Sequence, residues 1–352
     1  MPSSDFGTAG PAAVAAGAAG IVRARRFRAR AALLALGAVL LLGLCLLAGR
    51  YPRPGLTDPR LLASDPTARA VVLGSRLPRL AAALILGAAL AAAGNAFQMV
   101  FGNPLVEPGF LGVSQGAALG AALALVAGAS SEIAVAGAAF ALALAALAAA
   151  ALLARAFPYG GWVLRLVLSG FAVSSFMAAG LALVKYAADP LRELPDIVYW
   201  TMGSLAGVSW RRLAAAAAPA LGSVAFLLAY RWRVTALSAD EAVALSLGTR
   251  PLLERSLVLC VASAGVAAVV SMAGAVGWVG LVVPHAARLL FGADARRSMP
   301  ASALLGACFA ALCDTIARSA LPGELPLGAV TALIGSAAFV ALLGLGKVPV
   351  AR

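Results

Sequence analysis

Few side chains in this sequence are equipped for covalent chemistry, and their placement excludes most of what they could do. The single histidine, His285, follows Pro284 in an apolar run. A hydrolytic dyad would pair it with a serine; Ser169, Ser174 and Ser175 share one apolar segment, but no supporting acid accompanies them. A metal centre needs several His, Cys or carboxylate donors together. Cys45, Cys260, Cys308 and Cys313 instead fall inside separate apolar runs or beside one another in one run. They read as small buried hydrophobes, not as disulfide partners or ligands. No metal and no cofactor is expected, and His285 is expected to be a packed, hydrogen-bonded side chain. Asp314 lies near the end of an apolar run, with no chain of acids to relay protons across a bilayer. The phosphate-cradling pattern GxxxxGK[ST] is absent, since "GLGKV" near the C-terminus lacks the upstream glycine and the hydroxyl. If ATP drives this chain, another chain hydrolyses it.

The elements that carry these residues are helices in lipid. The 352 residues are 62% hydrophobic and 12% charged, with a mean hydropathy of +0.97, which excludes a water-soluble enzyme and a disordered chain. A net charge of +13 suggests nucleic acid at first sight. The cations lie mostly between apolar runs, however, where they report orientation in the bilayer, so no nucleic-acid partner is expected. Residues 1–30 form an Ala/Gly-rich and basic tail containing Arg23, Arg25, Arg26, Arg28 and Arg30. Residues 31–352 form one all-α domain of about ten spans, each needing about 20 apolar residues.

The first span, Ala31–Ala48, is too long for a signal-peptide core and ends at Arg50. The others are expected near 80–101, 111–127, 133–153, 163–187, 213–230, 256–275, 276–291, 299–317 and 328–346. A single helix over 256–291 would be about 54 Å long at 1.5 Å per residue, so a break near Gly274 to Gly277 is required. The abundant Ala and Gly predict a bundle closed by small-residue packing. Ten spans put both termini in the cytoplasm, and Lys/Arg favour that side only weakly, leaving Arg50, Arg53, Arg60, Arg69, Arg76 and Arg79 among the outer cations.

Two connections carry local structure. In "RWRVTALSADEAVALSLGTRPLLER" (231–255), Ser238 and Glu241 have capping-box spacing, and Gly248 followed by Pro251 stops the short helix they would start. In "NPLVEPG", Pro104, Pro108 and Gly109 predict a rigid non-helical turn, in which Asn103 and Glu107 can satisfy backbone groups at helix ends.

Six strings in register then carry a resemblance: "RLPR" at 76–79, "NPLVEPGFLGVSQG" at 103–116, "WTMGSLAGVSW" at 200–210, "GWVGLVVPH" at 277–285, "DTIAR" at 314–318 and "GELPLGAVTALIG" at 323–335. Over about residues 70–346 the chain resembles the FecCD-like permease family of iron-chelate, haem and cobalamin importers, the type II ABC importers. The family's usual Gly-Pro-Phe-like continuation of "ALIG" is replaced by Ser336, Ala337 and Ala338.

The resemblance implies ten helices per subunit and a homodimer (or a pair with a related permease) with the pathway on its axis. It also implies two cytoplasmic ATP-binding subunits, an external substrate-binding protein and a bacterial inner membrane. It makes Arg76, Arg79 and Arg318 docking residues for acidic groups of the binding protein, which an arginine fork can hold bidentately. It makes loop 231–255 the coupling element to the ATPase, with Asp240, Glu241, Leu247 and Gly248 in contact, and it sets the cytoplasmic gate at Val163 and Leu164. The expected function is a non-enzymatic permease subunit for ferric siderophore or haem, working by alternating access. A cobalamin permease is the alternative, with an ion-coupled secondary transporter disfavoured by the lack of intramembrane carboxylates.

Overall fold

The computed structural model describes residues 29–30, 32–51, 53–157 and 160–344. The tail arginines Arg23 to Arg28, together with Lys347 and Arg352, lie outside the described residues. Among the described residues the structure is all-α apart from one two-residue ladder. Helix α1 (Ala32–Leu47) runs into β1 (Ala48–Gly49), which pairs antiparallel with β2 (Gly55–Leu56). Two single turns follow, α2 (Leu61–Ser64) and α3 (Pro66–Arg69). A π-helical stretch, Ala70–Arg76, joins α3 to α4 (Leu77–Phe101) without a break.

After a 3-10 turn at Pro108–Leu111 come α5 (Val113–Val126), α6 (Glu132–Ala156) and α7 (Trp162–Ala187). A short helix α8 (Glu193–Met202) precedes α9 (Trp210–Leu237), and another, α10 (Glu241–Ser246), precedes α11 (Pro251–Ala273). The chain ends with α12 (Val279–Phe291), α13 (Ala295–Ser319) and α14 (Leu327–Gly344).

Within the described residues all ten expected apolar segments contain a helix, residues 31, 345 and 346 lying outside them, but the ten are not equal. Six are long and apolar enough to cross a membrane, whereas α1, α5, α12 and α14 are shorter. At 1.5 Å per residue the 14-residue α5 reaches about 21 Å, short of the roughly 30 Å hydrocarbon layer. The balance comes from irregular backbone buried in protein, the arrangement a bilayer tolerates. Val106, Pro108 and Leu111 of the connection before α5 are buried.

The required break falls where the glycines allow it. Gly274 has φ +73°, a left-handed conformation open to glycine, and the chain re-enters helix only at Trp278, the one non-glycine residue with positive φ among the described residues. Ser336 to Ala338 do not interrupt α14.

One rod organises the bundle. The span containing α4 is 78% buried, against 22% for α7, so α4 is the centre and α7 a flank. Two backbone contacts set this arrangement. A Cβ on Gly87 would collide with the Gly306 carbonyl on α13, and one on Gly94 with the Gly280 carbonyl on α12. Because Gly280 lies in the first turn of α12, that helix starts beside the interior of α4 and not at a membrane surface. At the α8 end the loops are stitched by backbone alone, Ser204 N–H to Ala273 C=O (2.7 Å) and Leu327 N–H to Gly203 C=O (2.8 Å).

Not all cysteines conform to expectation. Cys45, Cys308 and Cys313 are buried, whereas Cys260 is exposed on α11, because that helix leaves one side uncovered; all four are free. A Gly87→Val substitution should push α4 from α13 and cost about 1–3 kcal/mol through overpacking. Gly37→Val, with open space around it, should leave thermal unfolding in detergent unchanged.

Candidate coupling and docking faces

One end of the bundle carries α10, and the other carries the β1–β2 hairpin. At the α10 end, α9 runs on to Leu237 and absorbs Ser238 as its cap; the Ser238 hydroxyl donates to the Thr235 carbonyl (2.8 Å). The expected capping box therefore does not form. Asp240 occupies the N-cap position of α10, with no side-chain capping bond. Gly248 does stop the helix, at φ +75°, while Thr249 N–H (3.2 Å) and Oγ1 (2.7 Å) both donate to the Ala244 carbonyl.

Ala244 alone of this turn is fully buried. Asp240, Glu241, Leu247 and Gly248, the four expected contact residues, are exposed, and Val243 and Leu245 stand out beside them. A rigid turn thus presents three large apolar side chains and two acids.

What holds this turn was not foreseen. Arg255 donates through Nε and Nη2 to the Leu237 carbonyl (3.2 and 2.9 Å) and through Nη2 to Ala239 (3.2 Å), so a cation neutralises the carbonyl end of α9. Its guanidinium carbon lies 5.0 Å from the centre of the Trp162 ring. Arg233 reaches both the Gly248 carbonyl (3.2 Å) and Glu254 (2.9 Å), and Tyr230 donates to the other Glu254 oxygen (2.9 Å). Thr235 bridges α9 to α13 by donating to Asp294 (3.1 Å) and accepting from Ala295 N–H (3.0 Å). Burial works against the Asp294 charge, yet its bonds from Arg296 N–H and Thr235 hold the carboxyl below its usual range. The clue available in sequence was the density of Arg, Glu and Thr immediately flanking the short helix.

The expected gate pair divides. Val163 is half-buried against the core, while Leu164 is exposed on the outer stripe of α7 with Leu168 and Phe171. Successive residues on a helix point about 100° apart, so the two present different sides of α7, and of the pair Leu164 faces outward.

At the hairpin end the three expected docking arginines are turned inward. Arg76 is 6% exposed and donates to the Leu47 carbonyl (2.9 Å), Thr57 (2.9 Å) and the Tyr51 carbonyl (3.4 Å). Arg79 is 7% exposed and joins Asp314 and Glu324, each at 2.8 Å. Arg318 donates to the Ala48 and Cys45 carbonyls and lies 3.7 Å from Asp314. Docking would need free donors, but these are committed to fastening α1, the hairpin, α4, α13 and the α13–α14 turn to one another. Asp314 is the buried counter-ion of Arg79 and Arg318. Tyr51 donates to Asp65 (2.7 Å); this bond holds the Asp65 carboxyl low and raises the Tyr51 phenol. The cations that remain exposed on this face include Arg50, Arg53 and Arg60.

Between the two ends, the "NPLVEPG" turn meets the break before α12. Glu107 accepts the Trp278 N–H (3.0 Å), capping a helix start far away in sequence, while Asn103 closes its own turn on Leu105 N–H (2.9 Å). Gln98 donates to Leu281 C=O (3.1 Å) and accepts from Arg288 (2.5 Å). His285 is buried beside Arg288 (3.4 Å) and edge-on to Phe339, as a packed side chain. No group of three or more metal-ligating side chains occurs among the described residues.

Comparison with known proteins places this geometry. The profile described as the FecCD transport family matches residues 33–344. A probable iron chelatin transport system permease protein of Helicobacter pylori is 42% identical over 274 residues, 78% of this chain and 82% of the relative. The molybdate import system permease protein MolB of Haemophilus influenzae is 36% identical over 323 residues, 88% of this chain and 93% of the relative. A solved structure, described as an inward-facing conformation of a metal-chelate type ABC transporter, superposes with a TM-score of 0.82. It is 36% identical and covers 88% of this chain and 97% of its own.

The ion network yields a prediction. Arg79→Ala should cost about 3–5 kcal/mol by leaving Asp314 buried without its nearest partner. Adding Asp314→Ala should recover part of that loss, and a double-mutant cycle on thermal unfolding measures the coupling.

Proposed function

Because this chain belongs to the FecCD transport family and is a permease of the ABC-importer kind, we propose that it forms the membrane pathway for a ferric chelate, a siderophore or haem, with α10 in the cytoplasm. The observation that carries the coupling part of this reading is α10 itself. A turn with Val243, Leu245 and Leu247 exposed is a poor surface to leave in water. Arg255, Arg233 and the Thr235 bridge to α13 make it rigid, so a partner that grips it moves α9 and α11 with it.

The partner that fits is an ATP-hydrolysing subunit with a groove for one short helix, two per permease dimer. Hydrolysis belongs to that chain, and this one makes and breaks no covalent bond. Alternating access follows from a push on α10 that reorients α9 and α11 around the α4 rod. The exposed stripe of α7 containing Leu164 faces a second copy across the pathway, where an apolar constriction closes by excluding water. Val163 supports that stripe from behind.

The substrate reading leans on the Helicobacter pylori relative, which is named for iron chelatin transport. The relative named for molybdate argues for testing oxyanions alongside chelates, and cobalamin stays the alternative cargo. On the outer face the docking cations are Arg50, Arg53 and Arg60, which are exposed. Arg76, Arg79 and Arg318 act behind them by holding the hairpin in place. Complementary charge there would speed and orient arrival of an acidic substrate-binding protein.

The test is ATP-driven uptake into vesicles containing the chain with its co-purifying ATPase and binding protein. Ferric siderophore, haem, cobalamin and molybdate would be offered in turn. Uptake of an iron chelate alone supports the proposal; uptake confined to molybdate or cobalamin replaces the substrate, and ATP-independent uptake overturns the importer reading. In the same vesicles Gly248→Leu should leave the complex assembled and ATP hydrolysed while uptake falls at least about tenfold, since a side chain at φ +75° strains the stop of α10. Arg50→Glu with Arg53→Glu should weaken binding-protein affinity and flatten its dependence on salt.

A further inference from the structure

At the α10 end, between α6, α7 and α11, lies an open groove of about 300 Å³. Its floor and walls are apolar, with Leu147, Ala151, Leu166, Leu259 and the exposed Cys260 among them. Its mouth is cationic. Arg155 stands in the last turn of α6 and Arg165 in the first turn of α7, and both line the cavity. Neither forms an ion pair among the described residues. Arg165 spends one Nη1 hydrogen on the Phe157 carbonyl (3.3 Å), and its Nε is buried with no partner. From Arg155 to Leu147 the trough descends about 12 Å along α6 toward the bilayer centre, at 1.5 Å per residue.

A cavity with two unneutralised cations at headgroup level and an apolar trough below them has the complement of an anionic amphiphile. We propose that this groove is a specific site for an anionic glycerophospholipid, its phosphate between Arg155 and Arg165 and an acyl chain along Leu147, Ala151 and Leu259. Basic pockets between membrane helices suit such headgroups.

A second groove, at the hairpin end, supplies the contrast. It is equally apolar, but its single cation, Arg212, is already engaged by Glu132 (3.3 Å) and by the Met272 carbonyl (2.6 Å). Only the α10-end groove keeps cations for an outside phosphate. The site has a route to function, since Trp162 lines it and also receives Arg255, the residue that holds the end of α9. A bound lipid would brace the anchor of the α10 turn.

The experiment is native mass spectrometry of the purified full-length chain titrated with dioleoylphosphatidylglycerol, or with dioleoylphosphatidylcholine as the zwitterionic control. One phosphatidylglycerol should bind in preference to phosphatidylcholine, and Arg155→Gln with Arg165→Gln should weaken it about 30-fold, or about 2 kcal/mol at about 1 kcal/mol per arginine. If the double variant does not fold, either single variant should lose about fivefold by the same reckoning. Cys260→Trp keeps both arginines but fills the trough, and it should lose the lipid as well. Equal binding of the two lipids, or unchanged affinity in the arginine variants, overturns the proposal. So does full affinity in Cys260→Trp, or displacement of the lipid by millimolar inorganic phosphate, either of which would mean a free-anion site. Loss of lipid binding when the ATPase subunit joins would assign the arginines to that protein and overturn it too.

Discussion

The close approach of α4 to α13 and α12 is the constraint on which the other features depend. Lipid offers helices no hydrophobic reason to associate, so contact area between backbones must supply it. Gly87 against Gly306 and Gly94 against Gly280 allow that contact. The second pair also fixes where α12 begins, and so where the chain between α11 and α12 must bend. Once α12 starts inside the bundle, its first N–H groups are stranded away from water. Glu107 caps the Trp278 N–H, and Gln98 satisfies carbonyls of the same turn. The rigid proline turn before α5 exists in this setting to deliver a carboxylate to another helix.

Both ends of the bundle solve a related problem with arginine. At the hairpin end, Arg76 and Arg318 donate to carbonyls at the close of α1 and in the turn beyond it, while Arg79 and Asp314 neutralise one another in the interior. At the α10 end, Arg255 does the same for the last carbonyls of α9. These cations contribute rigidity, and the ones left over are free to meet other molecules. Arg50 and Arg53 face outward on one side, and Arg155 and Arg165 guard a groove on the other. A single count of basic residues merges the two kinds, which is why the weak inside–outside bias in the sequence was hard to read.

The permease fold was legible because its evidence is local. Apolar run lengths gave ten helices, and Gly274 and Gly248 marked a break and a stop that the positive φ values bear out. The exposure of α10 followed from a short polar-flanked helix between two spans. Ser238 was misassigned because capping-box spacing says nothing of whether the preceding helix has ended; here α9 runs to Leu237, well past residue 230 where its apolar run ends, and takes the serine. Helix α8 was missed since ten residues with two acids in the first turn carry no spanning signal.

What the sequence by itself determined was the set of apolar spans, their packing by small residues and the family to which six strings in register belong. Tertiary structure alone decided which arginines are free. Whether a guanidinium docks a partner or fastens its own chain depends on carbonyls and carboxylates brought to it from far along the sequence, as Glu324 is brought to Arg79 and Cys45 to Arg318. The same holds for Val163 and Leu164, neighbours in sequence that the helix turns to opposite fates. Residue type and spacing fix what a side chain is able to bind, and only the fold fixes what lies within about 3 Å of it.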